Sequence, residues 1–465
     1  MAQASHIHFE ISERKVLLRV FDIASVLLLL YAVGLIFDFD YFKINSEHWV
    51  WSIVLAVYLT IFATIFELYN LPKASKFEVM VQNIILTSSV TVLFYLLTPF
   101  FTPTLPENRL QIVYFYIAMN LALFTWRYAY IALIAAPRFN KRVLLICNVA
   151  DIENILFSLH RSDPNYKIIG YINTGSREVP ENALTEDVLE FSPIEVAHTV
   201  TEHAISEIVV ASPQSQGITV SLSNQLINLL EKGCAIREYT QVYEEITQRV
   251  PVQHVDKDFY RYFPFSRSNQ NKLYLFFHRI LDLVLSIIGL AFGILISPII
   301  LIGNLFGNRG PLFYTQTRVG RNGKHFKIYK LRSMVTDAEK QGAQYATLKD
   351  ARITKFGRFL RRSRFDEIPQ FINVIKGDMS VIGPRPERPV FVAQLAEEIP
   401  FYEVRHVVKP GVTGWAQVNA KYGVSAEDAL EKLQLDLYYI KKRSLFLDIS
   451  IVIKTLSTII FFRGQ

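Results

Sequence analysis

Four apolar runs crowd the first third of the chain, at about Leu17–Phe37, Trp49–Tyr69, Val79–Phe101 and Ile112–Ala136. Each approaches the ~20 residues that a helix needs to cross a bilayer's hydrocarbon layer. A backbone in that layer must satisfy its own polar groups, so runs of this length predict membrane helices. Composition agrees, because 51% of the 465 residues are hydrophobic and 13% aromatic. Basic residues sort unevenly between the connections. Arg14 and Lys15 precede the first run and Arg19 lies at its start, Lys73 and Lys76 follow the second, and Arg138, Lys141 and Arg142 follow the fourth. The other two loops carry only Lys43 and Arg109. This bias predicts that the N-terminus and everything after residue 137 face the cytoplasm. Arg127 lies inside the fourth run, where it either pairs with Glu67 or snorkels to the interface. No cleavable signal peptide is expected, since the first run is long and no small-residue cleavage site follows it.

From Lys141 the texture changes to alternating strand and helix patterns. "RVLLIC" and "KIIGYIN" read as strands around the helix "DIENILFSLHR", and "SEIVVAS", "SLSNQLINLLEKG" and "CAIREY" continue the alternation. That predicts a parallel, Rossmann-like α/β domain over 139–250. A dinucleotide site needs a glycine-rich turn after the first strand, and here the turn is "NVAD", without glycine. The domain is therefore expected to space, regulate or dimerise. Only two cysteines occur, Cys147 and Cys234, so no disulfide framework or cysteine zinc site is implied.

Residues 251–272 read as a polar linker. Then "RILDLVLSIIGLAFGILISPIILIGNLFGNRGP" places a long apolar segment between basic flanks. Pro298 follows Ser297 near its middle and removes a helical N–H. These features predict a re-entrant helix over 280–306 that breaks at Ser297–Pro298 and returns to its own side. A proline-kinked fifth span is the alternative. The final apolar stretch is interrupted by Asp448 and Lys454, which predicts an amphipathic helix lying on the membrane.

Residues 273–465 carry the chemistry. "TQTRVGRNGKHFKIYKLRSM" reads as a basic hairpin leading to Lys330 and Arg332. In "RSRFDEIPQFINVIKGDMSVIGPRPERP", Pro369 suits the first turn of a helix that ends at Gly377. Asp366 and Glu367 would then stand at its N-terminus beside Arg361, where the helix dipole and the cation favour ionised carboxylates. An ionised aspartate attacks phosphorus only when cations neutralise the phosphate, and a second carboxylate can hold a divalent metal. Asp378 either caps the turn after Gly377 or contacts substrate. Asp436 stands either toward the site or in an ion pair with Lys442. Trp415 is expected to pack rather than to bind sugar. His278, His325 and His406 lack metal-ligand spacing. The net charge of +7 suits anionic headgroups and phosphorylated substrates. No nucleic acid partner is expected, because acids interrupt the basic residues.

The ordered motifs Ser297–Pro298, "KLRSM", "DEIPQFINVIKGDMS", "GPRP" and "GWAQVN" resemble those of bacterial polyprenyl-phosphate sugar-1-phosphate transferases. With the four-helix start and the α/β middle, the chain resembles the large monotopic, exopolysaccharide-initiating members over nearly its whole length. It differs from many members in carrying Ala420 after Asn419. The resemblance implies an N-terminal four-helix membrane domain over 1–138 and a mostly α monotopic catalytic domain over 273–465. It implies a nucleophilic Asp366, a metal-binding Glu367 with Mg2+, phosphate contacts from Arg361 and Lys330, and a nucleotide end at Pro384, Arg385 and Pro386. The implied reaction moves a sugar 1-phosphate, glucose or galactose, from a UDP-sugar to undecaprenyl phosphate. UMP leaves, and a phosphosugar-aspartate forms in between. A homodimer at the bacterial inner membrane, among its lipids and with the catalytic domain cytoplasmic, is also implied. Two other readings compete. A membrane-bound nucleotide-sugar dehydratase would use the Tyr438–Lys442 spacing but lacks the glycine fingerprint. A non-catalytic polysaccharide-export scaffold would leave the acid and arginine cluster without a use.

Overall fold

The computed structural model describes residues 11–460 apart from 38, 40, 45–46, 70–76, 134–140, 150–151, 163–165, 176–187, 212–217, 253–270, 339–341, 343, 345–349, 421–422 and 424. The basic loop residues Lys73, Lys76 and Arg138, part of the "NVAD" turn and most of the predicted linker lie outside the described residues. The chain forms two compact units, Met1–Thr247 and Gln248–Gln465.

The first unit opens with four helices, α1 (Ile11–Ile36), α2 (Trp49–Ile65), α3 (Phe77–Leu97) and α4 (Leu110–Leu133). Leu30, Leu55, Leu59, Ile84, Tyr95, Phe115 and Leu123 form their shared core. Arg127 corrects the expectation made for it. Its Nε and Nη2 donate to the two carboxylate oxygens of Asp22 at 3.0 and 2.5 Å, and both side chains are 0% exposed. Asp22 lies 105 residues away on α1, so no local spacing signals the pair. Burial among apolar helices makes a matched carboxylate, rather than Glu67 or the interface, the low-energy partner.

After α4 comes a five-stranded, all-parallel sheet in the order β3-β2-β1-β4-β5. Its strands are β1 (Lys141–Cys147), β2 (Tyr166–Asn173), β3 (Leu189–Glu190), β4 (Glu207–Val210) and β5 (Ala235–Glu238). Helices α5 (Ile152–Ser162), α6 (Val196–Glu202), α7 (Val220–Glu231) and α8 (Tyr239–Thr247) cover it. Alternate residues of β1 enter opposite cores. Val143, Leu145 and Cys147 pack with α5 and α8, while Leu144 and Ile146 pack with α6 and α7. Such burial on both faces explains the uninterrupted apolar run of the strand.

The second unit starts within the predicted middle domain and linker: Val250 and Val252 are buried in its core, and Val250 N–H donates to Gln434 O at 3.0 Å. Its long helix, α9, runs from Lys272 to Gly307 over 36 residues, with Asn271 capping the first turn. The predicted break is absent: Pro298 lies inside one continuous helix. Proline there orphans the carbonyl of Ile294, and Ser297 Oγ donates to that carbonyl at 2.8 Å, so helical geometry persists. One face of α9 packs on its own unit along the entire length. Tyr274, His278, Asp282 and Ser286 are buried at its start and Ile300 near its end. Glycines let aromatic rings close on it, since a Cβ at Gly289 would lie 2.3 Å from the Phe371 ring and one at Gly303 would lie 2.3 Å from the Phe356 ring. The opposite face exposes Phe276, Val284, Ile288, Phe292, Leu295, Ile302 and Phe306. Among the described residues three helices are long and apolar enough to cross a membrane, Val16–Ile36, Phe77–Leu97 and Lys272–Gly307, and the molecule is a membrane protein.

Beyond α9 the hairpin β6 (Phe313–Val319) and β7 (His325–Leu331) turns at Asn322 and Gly323, both at positive φ. There follow α10 (Lys355–Arg362), α11 (Gln370–Lys376), β8 (Ser380–Ile382), α12 (Pro389–Glu398), β9 (Gly411–Thr413), α13 (Trp415–Asn419), α14 (Ala426–Lys442) and α15 (Leu445–Ile460). In α15 the two charged residues that interrupt the apolar stretch turn toward the protein. Asp448 is 0% exposed and accepts hydrogen bonds from the hydroxyls of Tyr274 and Tyr439 at 2.7 and 2.9 Å. Lys454 donates to Asn419 and lies over the Trp415 ring. The polar residues of α15 therefore face the protein, while Phe446 and Ile449 are exposed.

Candidate active site

The acid pair sits on a short 3-10 turn, Phe365–Glu367, between α10 and α11. Arg364 enters that turn at φ 61° and Pro369 caps α11, which stops at Gly377 with φ 92°. Two contacts fix α11. Arg279 of α9 donates to the carbonyls of Val374 and Ile375 at 2.7 and 2.9 Å, satisfying the helix's C-terminal acceptors. Asn373 bonds the β7 backbone in both directions, to Lys327 O at 2.8 Å and from Tyr329 N–H at 3.1 Å. This second contact brings β7, and with it Lys330, beside the acids.

The two carboxylates are both buried yet differently partnered. Glu367 is ringed by cations: Arg385 Nη2 at 3.0 Å and Lys330 Nζ at 3.4 Å on one oxygen, Arg364 Nη1 at 3.2 Å on the other. Burial alone would raise its pKa, but these charges outweigh burial and hold Glu367 well below the usual carboxylate range. Among the described residues no side chain donates a hydrogen bond to Asp366, which lines a cavity of about 690 Å³. Burial, and then the neighbouring Glu367 charge, push Asp366 up to about 6 against the pull of Lys330, Arg361 and Arg364. Burial lowers Lys330 to about 8, although Glu367 opposes that shift. One acid is thus locked as an anion, while the other is poised near neutrality and faces open space.

Arg361, Arg364 and Arg385 line the same cavity. Arg361 Nη1 is buried and has no hydrogen-bond partner, an orphaned cationic donor beside a free acid. Such a donor is what an incoming phosphate oxygen would satisfy.

Other expected residues play different parts. Arg332 is not free for substrate. Its guanidinium donates to the carbonyls of Pro311 at 2.7 Å, Met334 at 3.1 Å and Asn308, which fastens the chain leaving α9. Asp378 does not line the cavity; it is exposed in the turn after α11 and accepts from Asn373 Nδ2 at 3.4 Å. Pro384 and Pro386 shape the turn that carries Arg385, and their carbonyls accept from Gly411 N–H at 2.9 Å and Arg318 Nη1 at 3.0 Å. Asp436 lines the cavity, but its ion-pair partner is Arg405 at 2.7 Å rather than Lys442. Arg405, also in the cavity wall, belongs to no motif, while Arg318 and Glu387 lie in the basic hairpin and the Pro-Arg-Pro stretch with no local signal to single them out. Trp415 packs as expected, buried and stacked on Tyr438.

A buried acid pair held among half-buried arginines, in a unit with a long apolar helix, defines a class: a membrane-protein site whose charge suits a phosphorylated ligand. Comparison with known proteins makes this specific. Residues 273–462 match the family model described as bacterial sugar transferase. The chain is 42% identical over 223 residues to a UDP-N-acetylgalactosamine-undecaprenyl-phosphate N-acetylgalactosaminephosphotransferase of Aeromonas hydrophila, covering 47% of this chain and 51% of that one. It is 49% identical over 141 residues to a provisionally named undecaprenyl-phosphate N-acetylgalactosaminyl 1-phosphate transferase of Bacillus subtilis (strain 168), covering 30% of this chain and 79% of that one. It is 44% identical over 169 residues to a UDP-glucose:undecaprenyl-phosphate glucose-1-phosphate transferase of Escherichia coli (strain K12), covering 35% and 36%. The chain belongs to the bacterial sugar transferase family, and its match spans about half the length of the Aeromonas relative.

Proposed function

We propose that the protein transfers a sugar 1-phosphate from a UDP-sugar to undecaprenyl phosphate, the membrane step that starts an exopolysaccharide, capsule or O-antigen. The observation that carries this reading is the contrast between an open, ionisable Asp366 and the partnerless Arg361 donor beside it. Asp366 attacks the β-phosphorus, the bond to the bridging oxygen breaks, and UMP leaves with the electron pair. A phosphosugar-aspartate anhydride remains. An oxygen of undecaprenyl phosphate then attacks the same phosphorus and releases the carboxylate. Both nucleophiles and both leaving groups are anions, so no general base is required. The protein's task is orientation and charge stabilisation by Arg361, Lys330 and Arg385.

Mg2+ is part of this proposal. Among the described residues no group of three or more His, Cys, Asp or Glu could hold a metal. Mg2+ nevertheless takes only one or two protein carboxylates and fills its shell with water and substrate phosphate. Glu367 and Asp366 suit such a cation, with a lone-pair position of Glu367 left open by its three partners. Bound there, Mg2+ would neutralise diphosphate charge.

The test is UMP release by the full chain with undecaprenyl phosphate, Mg2+ and a panel of UDP-sugars. UDP-glucose and UDP-galactose are the expected donors, and UDP-N-acetylgalactosamine enters the panel because matched relatives bear that name. No UMP from any donor would refute the reading. The pH profile of a single turnover should be bell-shaped. Asp366 must be ionised, so the rate falls about tenfold per unit below about 6, and it declines above about 8 as Lys330 loses its proton. A flat profile between pH 5 and 9 would count against these two groups.

For the membrane arrangement, we read α9 as bending at Pro298 without losing its helical hydrogen bonding elsewhere, so that both ends stay on one side, with the catalytic unit cytoplasmic at the inner membrane. Packing of α9 on its own unit from Tyr274 to Gly307 supports this, since a span would part from that unit within the bilayer. In a protein with Cys147 and Cys234 replaced by alanine, Lys272→Cys and Lys324→Cys should both resist an impermeant thiol reagent in intact cells. Labelling of the second alone would mean a true span. The strand order of the middle sheet supports a Rossmann-like reading. A homodimer involving that domain rests on the family resemblance.

A further inference from the structure

The turn that carries Arg385 is held by its acceptors. Pro384 and Pro386 have no N–H, and three successive carbonyls are each bonded. Pro384 O accepts from Gly411 N–H at 2.9 Å, Arg385 O from Arg405 Nη2 at 3.0 Å, and Pro386 O from Arg318 Nη1 at 3.0 Å. The same Nη2 of Arg405 bonds Asp436 Oδ2 at 2.7 Å, and Nη1 bonds the Tyr402 hydroxyl at 2.5 Å. Arg405 is 5% exposed and Asp436 1%. A cation so deep requires its carboxylate, and the planar fork of a guanidinium allows one nitrogen to serve both Asp436 and the turn. From that turn the Arg385 side chain reaches Glu367 at 3.0 Å.

We propose that Asp436 is a positioning residue: through Arg405 it fixes the Arg385 main chain, and thereby sets the distance from the Arg385 guanidinium to Glu367. The contact passes from α14 through the 3-10 turn Tyr402–Val407 to the acid pair, joining elements far apart in sequence. Asp436 does this without touching the reacting phosphate. The catalytic consequence rests on the transferase reading above, whereas the ordering of the turn does not.

Both parts are testable with full-length protein in detergent. Asp436→Asn keeps the shape and loses the charge. Arg405→Lys keeps the charge and loses the fork, and it serves if the first variant does not fold. In either variant the amides of Gly383, Arg385, Glu387 and Arg388 should exchange hydrogen about tenfold faster or more, while the β6–β7 hairpin is unchanged. Unchanged exchange at the turn, or uniform acceleration, overturns the proposal. In UMP release, Asp436→Asn should lower kcat by about 10- to 100-fold, with KM for the UDP-sugar nearly constant. Arg385→Ala should abolish that penalty, so the double variant is no slower than Arg385→Ala alone. Additive losses, or a loss confined to KM, would assign Asp436 to substrate contact or general folding instead. A wild-type protein that releases no UMP would refute the transferase reading, and hydrogen exchange would still decide the positioning role.

Discussion

Asp366→Asn is expected to abolish both the covalent intermediate and lipid-linked product. With UDP-sugar alone, the wild type should release one UMP per site in a burst, and the peptide holding Asp366 should gain the mass of a phosphosugar. The amide is a poor nucleophile toward phosphorus, so neither should occur in the variant. Turnover should fall on the order of 10⁴- to 10⁶-fold, the scale seen when a covalent nucleophile is removed. The fold should not suffer. Burial raises Asp366, so its charged form is disfavoured in the native state, and this unfavourable contribution grows as pH rises through about 6. A neutral asparagine removes it, so thermal stability at pH 7 should be equal or higher. Turnover within tenfold of wild type would exclude Asp366 as the nucleophile. UMP release only when lipid acceptor is present would point to direct transfer.

Glu367→Gln should behave in the opposite way on stability. Its carboxylate neutralises Lys330, Arg364 and Arg385, and deleting one partner of a buried ion cluster leaves the others uncompensated, a cost of about 3–5 kcal/mol. The sign with pH follows from the depressed pKa of Glu367. Its stabilisation is present above the unfolded carboxylate value of about 4.3 and is lost as pH falls through the lower folded value. The gap in melting temperature between wild type and variant should therefore be widest near neutrality and close in acid. Activity should drop about 10²- to 10³-fold, with a higher Mg2+ requirement, as when a preorganised electrostatic group is lost. Glu367 also helps to raise Asp366, so the acid limb of any residual activity should move below 6. Equal melting temperatures at pH 7 would show that the cations do not depend on Glu367.

Legibility followed the range of the interactions. The hairpin Phe313–Leu331, the capped helix Gln370–Lys376 and the acid pair before it rest on signals a few residues apart, namely alternation, Asn322–Gly323, Pro369 and Gly377. Arg361 was legible beside the acids, whereas Lys330 was expected as a phosphate contact and Arg385 as part of the nucleotide end, and the structure pairs both with Glu367. Arg332 looked equivalent to them. It differs because the chain leaving α9 presents two carbonyls, those of Asn308 and Pro311, that need a donor, a demand no motif encodes.

By itself the sequence determined which segments are apolar enough for membrane, where the acids and their nearest basic neighbours lie, and which family's motifs they form. Those depend on composition and on spacing within a turn or hairpin. Only the tertiary structure decided that Arg127 meets Asp22, that Asp448 and Lys454 of α15 face inward, and that Asp436 serves Arg405. It also decided that Glu367, not Asp366, takes the cations. In each case a buried charge must find its counterpart or lose stability, and the counterpart is supplied by whichever element packs opposite, a neighbour that chain order does not record.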